Sequence, residues 1–315
     1  MPDTREYTVG WFSALPTELV AARAFLDEEH GTVCIPNDNN CYTLGKIGIH
    51  NVVIAVLPKG ECGTDTTSAV ARDLLRSFPN VRIGLMVGIG GGAPSQKNDI
   101  RLGDVVVSTP KDNSPGIIQY DYGKTIQNEA FRITRSLDTV PMIWQSTVNE
   151  LRGKHQKQGH KLQGNVERAL NRIKVQNKYR RPSSATDKLY KSSFLHPRGS
   201  EDCAVTCGSD MAHLVAREKR GAGDLTPAIH YGTIASANQM MMNSYVRDRL
   251  AAKHGVLCFE TESAGLVNHL PCIVIRGICN YSDTHKNNAW QGYAAMTAAA
   301  YAKDLLALLP PTQRV

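Results

Sequence analysis

Two glutamates one residue apart, Glu260 and Glu262 in CFETESAGL, close an apolar run and open a helix-like stretch. Acids so placed do not fit a solvated face. Carboxylates in apolar surroundings need polar partners, and hydroxyl groups suit them. A third acid, Glu18 in SALPTELVAA, falls in the first helical turn after the first strand. It reads either as a carboxylate that favours the helix macrodipole or as one at the carboxyl edge of a parallel sheet, where such folds place ligands. The stretch VIRGICNYSD is an apolar run that breaks on Gly277 and exposes Cys279, Asn280, Ser282 and Asp283. Asn280 and Asp283 can face a ligand there, and only Asp283 is an acid.

Other motifs carry less. GIGGGA, Gly88 to Ala93, formally fits a dinucleotide fingerprint after a strand, but PSQKNDIRLGD follows and is not helical, so no helix N-terminus awaits a pyrophosphate. The glycines still require close approach of backbone to a ligand or another strand. Cys203 and Cys207 in CAVTC, with His196 nearby, and the Asp and His of SDTHKN are possible metal ligands. The cysteine pair lacks a second pair at suitable spacing, so zinc is not favoured and no metal is assigned. The chain contains no G-x-S-x-G, Walker-type or kinase motif.

The elements that must position these residues read as strands alternating with helices over Tyr7 to Gln119. Strands YTVGWFSA, HNVVIAVLP, RIGLMVGIGGG and RLGDVVVSTP enclose helices PTELVAARAFLDEEHG and TDTTSAVARDLLRSFP. About 124–226 is polar and basic, with one clear helix, GNVERALNRIKVQN, and reads as an insertion too poor in apolar residues for its own core. Strands then return: IHYGTIAS, VLCFE and CIVIRGIC, with helices YVRDRLAAKHG, ESAGLVNHL and a final Ala-rich helix that should pack closely on the sheet. Continuous Val/Ile runs predict a mostly parallel sheet covered on both faces.

The whole chain sets bounds. No segment of the 315 residues approaches the roughly 18 apolar residues of a membrane span, and the start has no leader-like pattern. Eight scattered cysteines, among them Cys258, Cys272 and Cys279 in apolar runs, predict reduced thiols and a cytoplasmic setting. The net charge of +7 is concentrated between Leu151 and Pro182 and reads as a solvated face. No aromatic-studded basic strand accompanies it, so nucleic acid is not expected.

Together, YTVGWFSALPTELVAARAFLDEEHG, NDNNCYTLGKIGIHNVVIAVLP, LMVGIGGGAPSQKNDIRLGDVVVS, IHYGTIASANQM, GVLCFETESAGL and VIRGICNYSDTHKN resemble the nucleoside phosphorylase and nucleosidase superfamily, in its fungal branch. The resemblance spans nearly the whole chain outside the insertion. It implies a single α/β domain, residues 1–315, around a mixed, mostly parallel, barrel-like sheet flanked by helices. It also implies a small-molecule nucleoside as substrate, cleavage of the bond between base and ribose, a homo-oligomer, and no cofactor, metal or membrane.

By the same resemblance Glu262 grips the ribose 2′- and 3′-hydroxyls, and Glu260 is a second acid lining the pocket. Thr261 replaces the usual Met between them. Ile89 and Gly90 line the pocket, Met240 and Met241 fall where the family places base- or sugar-facing residues or else fill the core, and Asp283 orders the motif. Phosphorylases of the superfamily carry phosphate-binding arginines where this chain has Met86 and Pro16–Thr17–Glu18. An acid repels a phosphate dianion but can activate water, so Glu18 points to hydrolysis over phosphorolysis. Asn280 stands where most relatives have an aspartic acid that donates a proton to the leaving base. An amide donates a hydrogen bond but cannot pass a proton. Three readings stay open: preference for 6-oxopurines, drift to another ligand or to pure binding, and an engineered replacement of aspartate.

Overall fold

A computed structural model of the chain describes residues 2–58, 60, 63–111, 114–128, 131–134, 137, 139–197, 203–220 and 226–311. The parallel heart of the sheet comes from short apolar strands: β1 (Val9–Ser13), β4 (His50–Val56), β5 (Ile83–Gly92), β6 (Val105–Ser108), β10 (Ile229–Ser236), β11 (Val256–Glu260) and β12 (Cys272–Asn280). β2 (Glu28–Cys34) and β3 (Cys41–Ile47) extend one edge, and β7 (Ile117–Gln119) pairs with β10. The order is β11-β10-β6-β12-β5-β1-β4-β3-β2, and β11 pairs again with β5. That last pairing curls half of the sheet into a closed barrel, as expected from the resemblance. β8 (Gly123–Lys124) and β9 (Arg132–Ile133) form a separate ribbon.

Helices cover the sheet: α1 (Pro16–Ala24), α2 (Thr64–Ser77), α3 (Met142–Gln158), α4 (Leu162–Leu170), α5 (Cys203–Thr206), α6 (Ser244–His254) and α7 (Gln291–Leu306). α7 is buried along most of its length, and its small residues let it lie against the strands. A Cβ on Gly277 of β12 would enter the backbone of Ala294, so only glycine admits this approach.

Four local expectations are corrected. The helix read from Pro16 to just before Gly31 stops at Ala24, and Glu28–Cys34 is an edge strand whose residues are mostly exposed. ESAGLVNHL begins as a single 3-10 turn, Ser263–Gly265, because the Glu260 carboxylate accepts the Glu262 and Ser263 N–H groups. The GNVERALNRIKVQN helix runs from Leu162 to Leu170 only, and the unforeseen α3 precedes it. Lastly, Cys34 and Cys41 form a disulfide across β2 and β3, against the expectation of reduced thiols throughout. Cys258, Cys272 and Cys279 are buried free thiols, and Cys62 lies outside the described residues.

Residues of the polar middle region join the main core through Trp144, Val148, Leu151, Leu162 and Val166. Its basic residues also serve packing: Arg152 lies 5.1 Å over the Tyr231 ring, and Arg172 Nη1 donates to the Ala24 and Leu26 carbonyls. Asp104, 1% exposed at the start of β6, binds this region to the barrel. It accepts from Arg220 Nη1 at 2.7 Å, His230 Nε2 at 2.9 Å and the N–H groups of Arg101 and Ala228. Burial alone would raise its carboxyl, but Arg220 and His230 hold it below the usual range. Removing one partner of such a buried set leaves charges uncompensated. Asp104→Ala is therefore expected to cost about 3–5 kcal/mol in urea unfolding; a loss within error of zero would remove Asp104 from the list of supports.

Candidate active site

Three buried acids and one arginine meet where β1 and β11 end beside the carboxyl-terminal halves of β5 and β12. Pro16 opens α1, and Glu18 at its third position folds back on the turn. Its Oε2 accepts from Ala14 N at 2.6 Å and Leu15 N at 3.0 Å, while Oε1 accepts from Ile89 N at 2.7 Å. One side chain thus ties the start of the helix to the middle of β5. Burial raises its carboxyl above the ordinary range, while Arg276 and the three N–H donors pull it back in part.

Arg276, in the middle of β12, is fully buried and was not singled out from sequence. Its Nη2 pairs with Glu260 and with Glu262, the latter at 3.1 Å, and its Nη1 donates to the Ile89 carbonyl at 3.3 Å. Its Nε is buried without a partner. A charged side chain inside the apolar run CIVIRGIC and two unexplained acids in CFETES were each other's solution, and that pairing was the available signal.

Arg276 and the N–H and O–H groups around it hold the Glu260 carboxyl below the ordinary range despite its burial. Glu262 differs. Burial, and then the charge of Glu260 against the pull of Arg276, leave it at about 7. Thr261 donates its hydroxyl to Glu262 Oε1, so the more polar residue between the acids touches the group assigned to the sugar.

The glycines of β5 provide the room. In the register Arg276 lies opposite Gly88, and Asn280 opposite Gly91 after a bulge following Ile278. A Cβ on Gly88 would enter Glu18 Oε1 and stand 2.6 Å from Arg276 Nη1. One on Gly91 would enter Ser282 Oγ and stand 2.7 Å from Asn280 Oδ1. Gly90 serves the barrel instead, since its Cβ would press on Cys258 Sγ and the Phe259 carbonyl of β11.

Asn280, half-buried at the end of β12, uses Oδ1 to accept from Ser282 N at 2.9 Å. Its amide NH2 faces Cys279 Sγ at 3.3 Å, a weak acceptor, so donor capacity remains. Ser282 takes a left-handed φ of 54° and its buried Oγ lacks a partner, both marks of a loop shaped for something other than its own stability. Asp283 is buried, accepts from His285 N at 2.9 Å, and lies 3.8 Å from Arg247 Nη1. Ile89 and Thr261 are half-buried beside the acids. Met241 packs against the small apolar cluster that includes Phe259 and Ala237, whereas Met240 is 61% exposed and touches Lys286. A separate groove of about 1250 Å³, lined by Tyr190, Arg217, Thr233 and Arg247, contains none of the three acids.

No protein-family model matches the chain. It is 42% identical over 308 residues to a nucleotide-binding leucine-rich repeat (NLR)-like protein of Hyaloscypha variabilis, covering 97% of this chain. The chain spans 30% of that relative's length. It is 22% identical over 309 residues to the 5′-methylthioadenosine/S-adenosylhomocysteine nucleosidase of Mycobacterium tuberculosis, covering 96% of this chain and 97% of that one. Among solved structures, the futalosine hydrolase of Helicobacter pylori superposes with a TM-score of 0.60 at 12% identity, covering 96% of this chain and 97% of that one.

Proposed function

We propose that this chain, which has the fold of the nucleoside phosphorylase and nucleosidase superfamily, is a nucleoside N-ribohydrolase that splits a purine nucleoside into free base and ribose. The observation that carries the reading is the buried set of Glu18, Glu260 and Glu262 around Arg276. Three carboxylates against one guanidinium leave the site negative, and the guanidinium is already engaged by two acids. Within this set a phosphate dianion meets three acids and a guanidinium already paired with two of them, whereas a water beside Glu18 finds a base.

In this mechanism Glu262 accepts from the ribose diol, and its two oxygens suit two vicinal hydroxyls. Glu260 and Arg276 fix the position of Glu262. The ribose develops oxocarbenium character as the bond to the base lengthens, and the negative site stabilises that charge. Glu18 takes a proton from the attacking water. Asn280 donates a hydrogen bond to the departing base without transferring a proton. The proposed setting is cytoplasmic and homo-oligomeric, with neither nucleic acid nor membrane as partner.

Incubation with adenosine, inosine, guanosine, uridine and methylthioadenosine, with chromatographic separation of base from sugar, tests the reading. Release of a purine base supports it; stable nucleosides throughout would overturn it. A second reading has its own support in Asn280 and in the NLR-like relative: a nucleoside-sensing module that binds without turnover. Tight binding in calorimetry with no product would favour that reading.

Ionisation offers another check. Both Glu18 and Glu262 must be ionised to act, and both are raised, Glu262 to about 7. Protonation on the acid side therefore removes the base and weakens the diol contact. The kcat/KM profile is expected to climb through about pH 7 and then stay level, because no acid stands at Asn280 to lose its proton. A bell-shaped profile would contradict this assignment.

A further inference from the structure

Away from the three acids, four side chains converge on one point. Cys203 opens α5 and Cys207 follows its last residue, with the Cys207 N–H donating to the Cys203 carbonyl at 3.0 Å, and His196 precedes them in the middle region. His285 arrives from the loop after β12, 82 residues further along the chain than Cys203. The distances are 3.8 Å between the two sulfurs, 3.0 Å from His196 Nδ1 to Cys207 Sγ, 3.3 Å from His196 Nδ1 to Cys203 Sγ and 3.5 Å from His285 Nδ1 to Cys203 Sγ. All four candidate ligand atoms lie within 4.8 Å of one another. A tetrahedral zinc with Zn–S of about 2.3 Å and Zn–N of about 2.05 Å has edges of about 3.8 Å between sulfurs and about 3.5 Å from sulfur to nitrogen. These four separations fall on those edges to within about half an ångström, and the remaining pairs lie within 4.8 Å.

The surroundings fit a ligand set better than a packing accident. His285 Nε2 lies 2.9 Å from the Phe194 carbonyl, which as its acceptor fixes the proton on Nε2 and leaves the Nδ1 lone pair facing the sulfurs. Its ring is stacked 4.1 Å from Tyr190, which sets the ring plane. Around the four lies a small apolar cluster of Tyr190, Phe194 and Leu214, separate from the main core and too small to stabilise this part of the chain by itself.

We propose that His196, Cys203, Cys207 and His285 bind one zinc ion in a closed Cys2His2 site that clamps the middle region to the loop that follows Asn280 and carries Asp283. Binding displaces the two thiol protons to solvent, and the ion with two thiolates and two neutral imidazoles is then uncharged overall. With four protein ligands the ion has no open position, so it is structural and takes no part in bond cleavage. Its effect on the reaction is indirect. His285 is the residue whose N–H is held by Asp283, two positions earlier, so the ion fixes the loop that follows Asn280. The sequence reading set zinc aside because the cysteines lacked a second pair; that pair is His196 and His285, which only the fold brings together.

The test uses the intact chain purified without chelators or metal-affinity resin. Elemental analysis is expected to find about one zinc per chain, and exchange for cobalt(II) to give the intense visible bands of a tetrahedral site with a thiolate-to-cobalt transition. The Cys203→Ser, Cys207→Ser double variant is expected to lose both signals. Should that variant fail to fold, the wild-type metal content and cobalt spectrum still decide. Wild-type protein that is metal-free and gives no thiolate-to-cobalt band on titration would overturn the proposal, as would a cobalt spectrum unchanged in the double variant.

Discussion

Glu18→Gln is expected to lower kcat by about 10²–10⁴-fold while leaving KM for the nucleoside nearly unchanged. The amide keeps the shape, and its one carbonyl oxygen can still accept the Ala14 and Leu15 N–H groups, so the helix start holds its place while the contact to the Ile89 N–H is given up. What is lost is the ability to take a proton from water, a step that matters in the transition state and not in ground-state binding. Because burial already raises Glu18 toward its neutral form, loss of the charge itself costs little, and the forgone Ile89 contact is the main cost to folding. A fall in KM-dependent binding with kcat intact would place Glu18 in the binding surface and move the base elsewhere.

Asn280→Asp is expected to work in the opposite direction, raising turnover of adenosine by up to about 10²–10⁴-fold, with a smaller gain on inosine. The carboxyl would keep the Ser282 N–H contact through one oxygen, leaving the second oxygen to hold the proton where the amide NH2 now stands. An adenine leaving group needs that proton more than a 6-oxopurine, so the ratio of the two gains reports the chemistry and not general repair. The variant should also add a falling limb to the pH profile. Equal rates for parent and variant on both nucleosides would sink the idea that proton donation limits this site.

The strands and most helices were legible because each followed a local rule. Val/Ile runs marked β4, β5, β6 and β12, and Pro16 marked the start of α1. The failures have local causes too. Glu28 and Glu29 favour helices by propensity, yet pairing with β3 placed them in a strand, where tertiary contacts outweigh preference. α3 looked too polar, though Trp144, Val148 and Leu151 at helical spacing form its buried stripe. Glu18, Glu260, Glu262 and Asn280 could be picked out because acids and amides at the ends of apolar strands are anomalous in sequence. Arg276 could have been found by the same rule. His285 was picked out as a possible metal ligand, but its pairing with Cys203 could not be read, because nothing in the sequence joins residues 82 positions apart.

The central claim is that Glu18 makes water, and not phosphate, the nucleophile. It is tested most directly by the rate of base release from the best nucleoside in phosphate-free buffer, compared with the rate after phosphate is added. Full turnover without phosphate, yielding free ribose and unaltered by its addition, is the expected result. Base release that begins only when phosphate is supplied, with ribose 1-phosphate as the product, would contradict it.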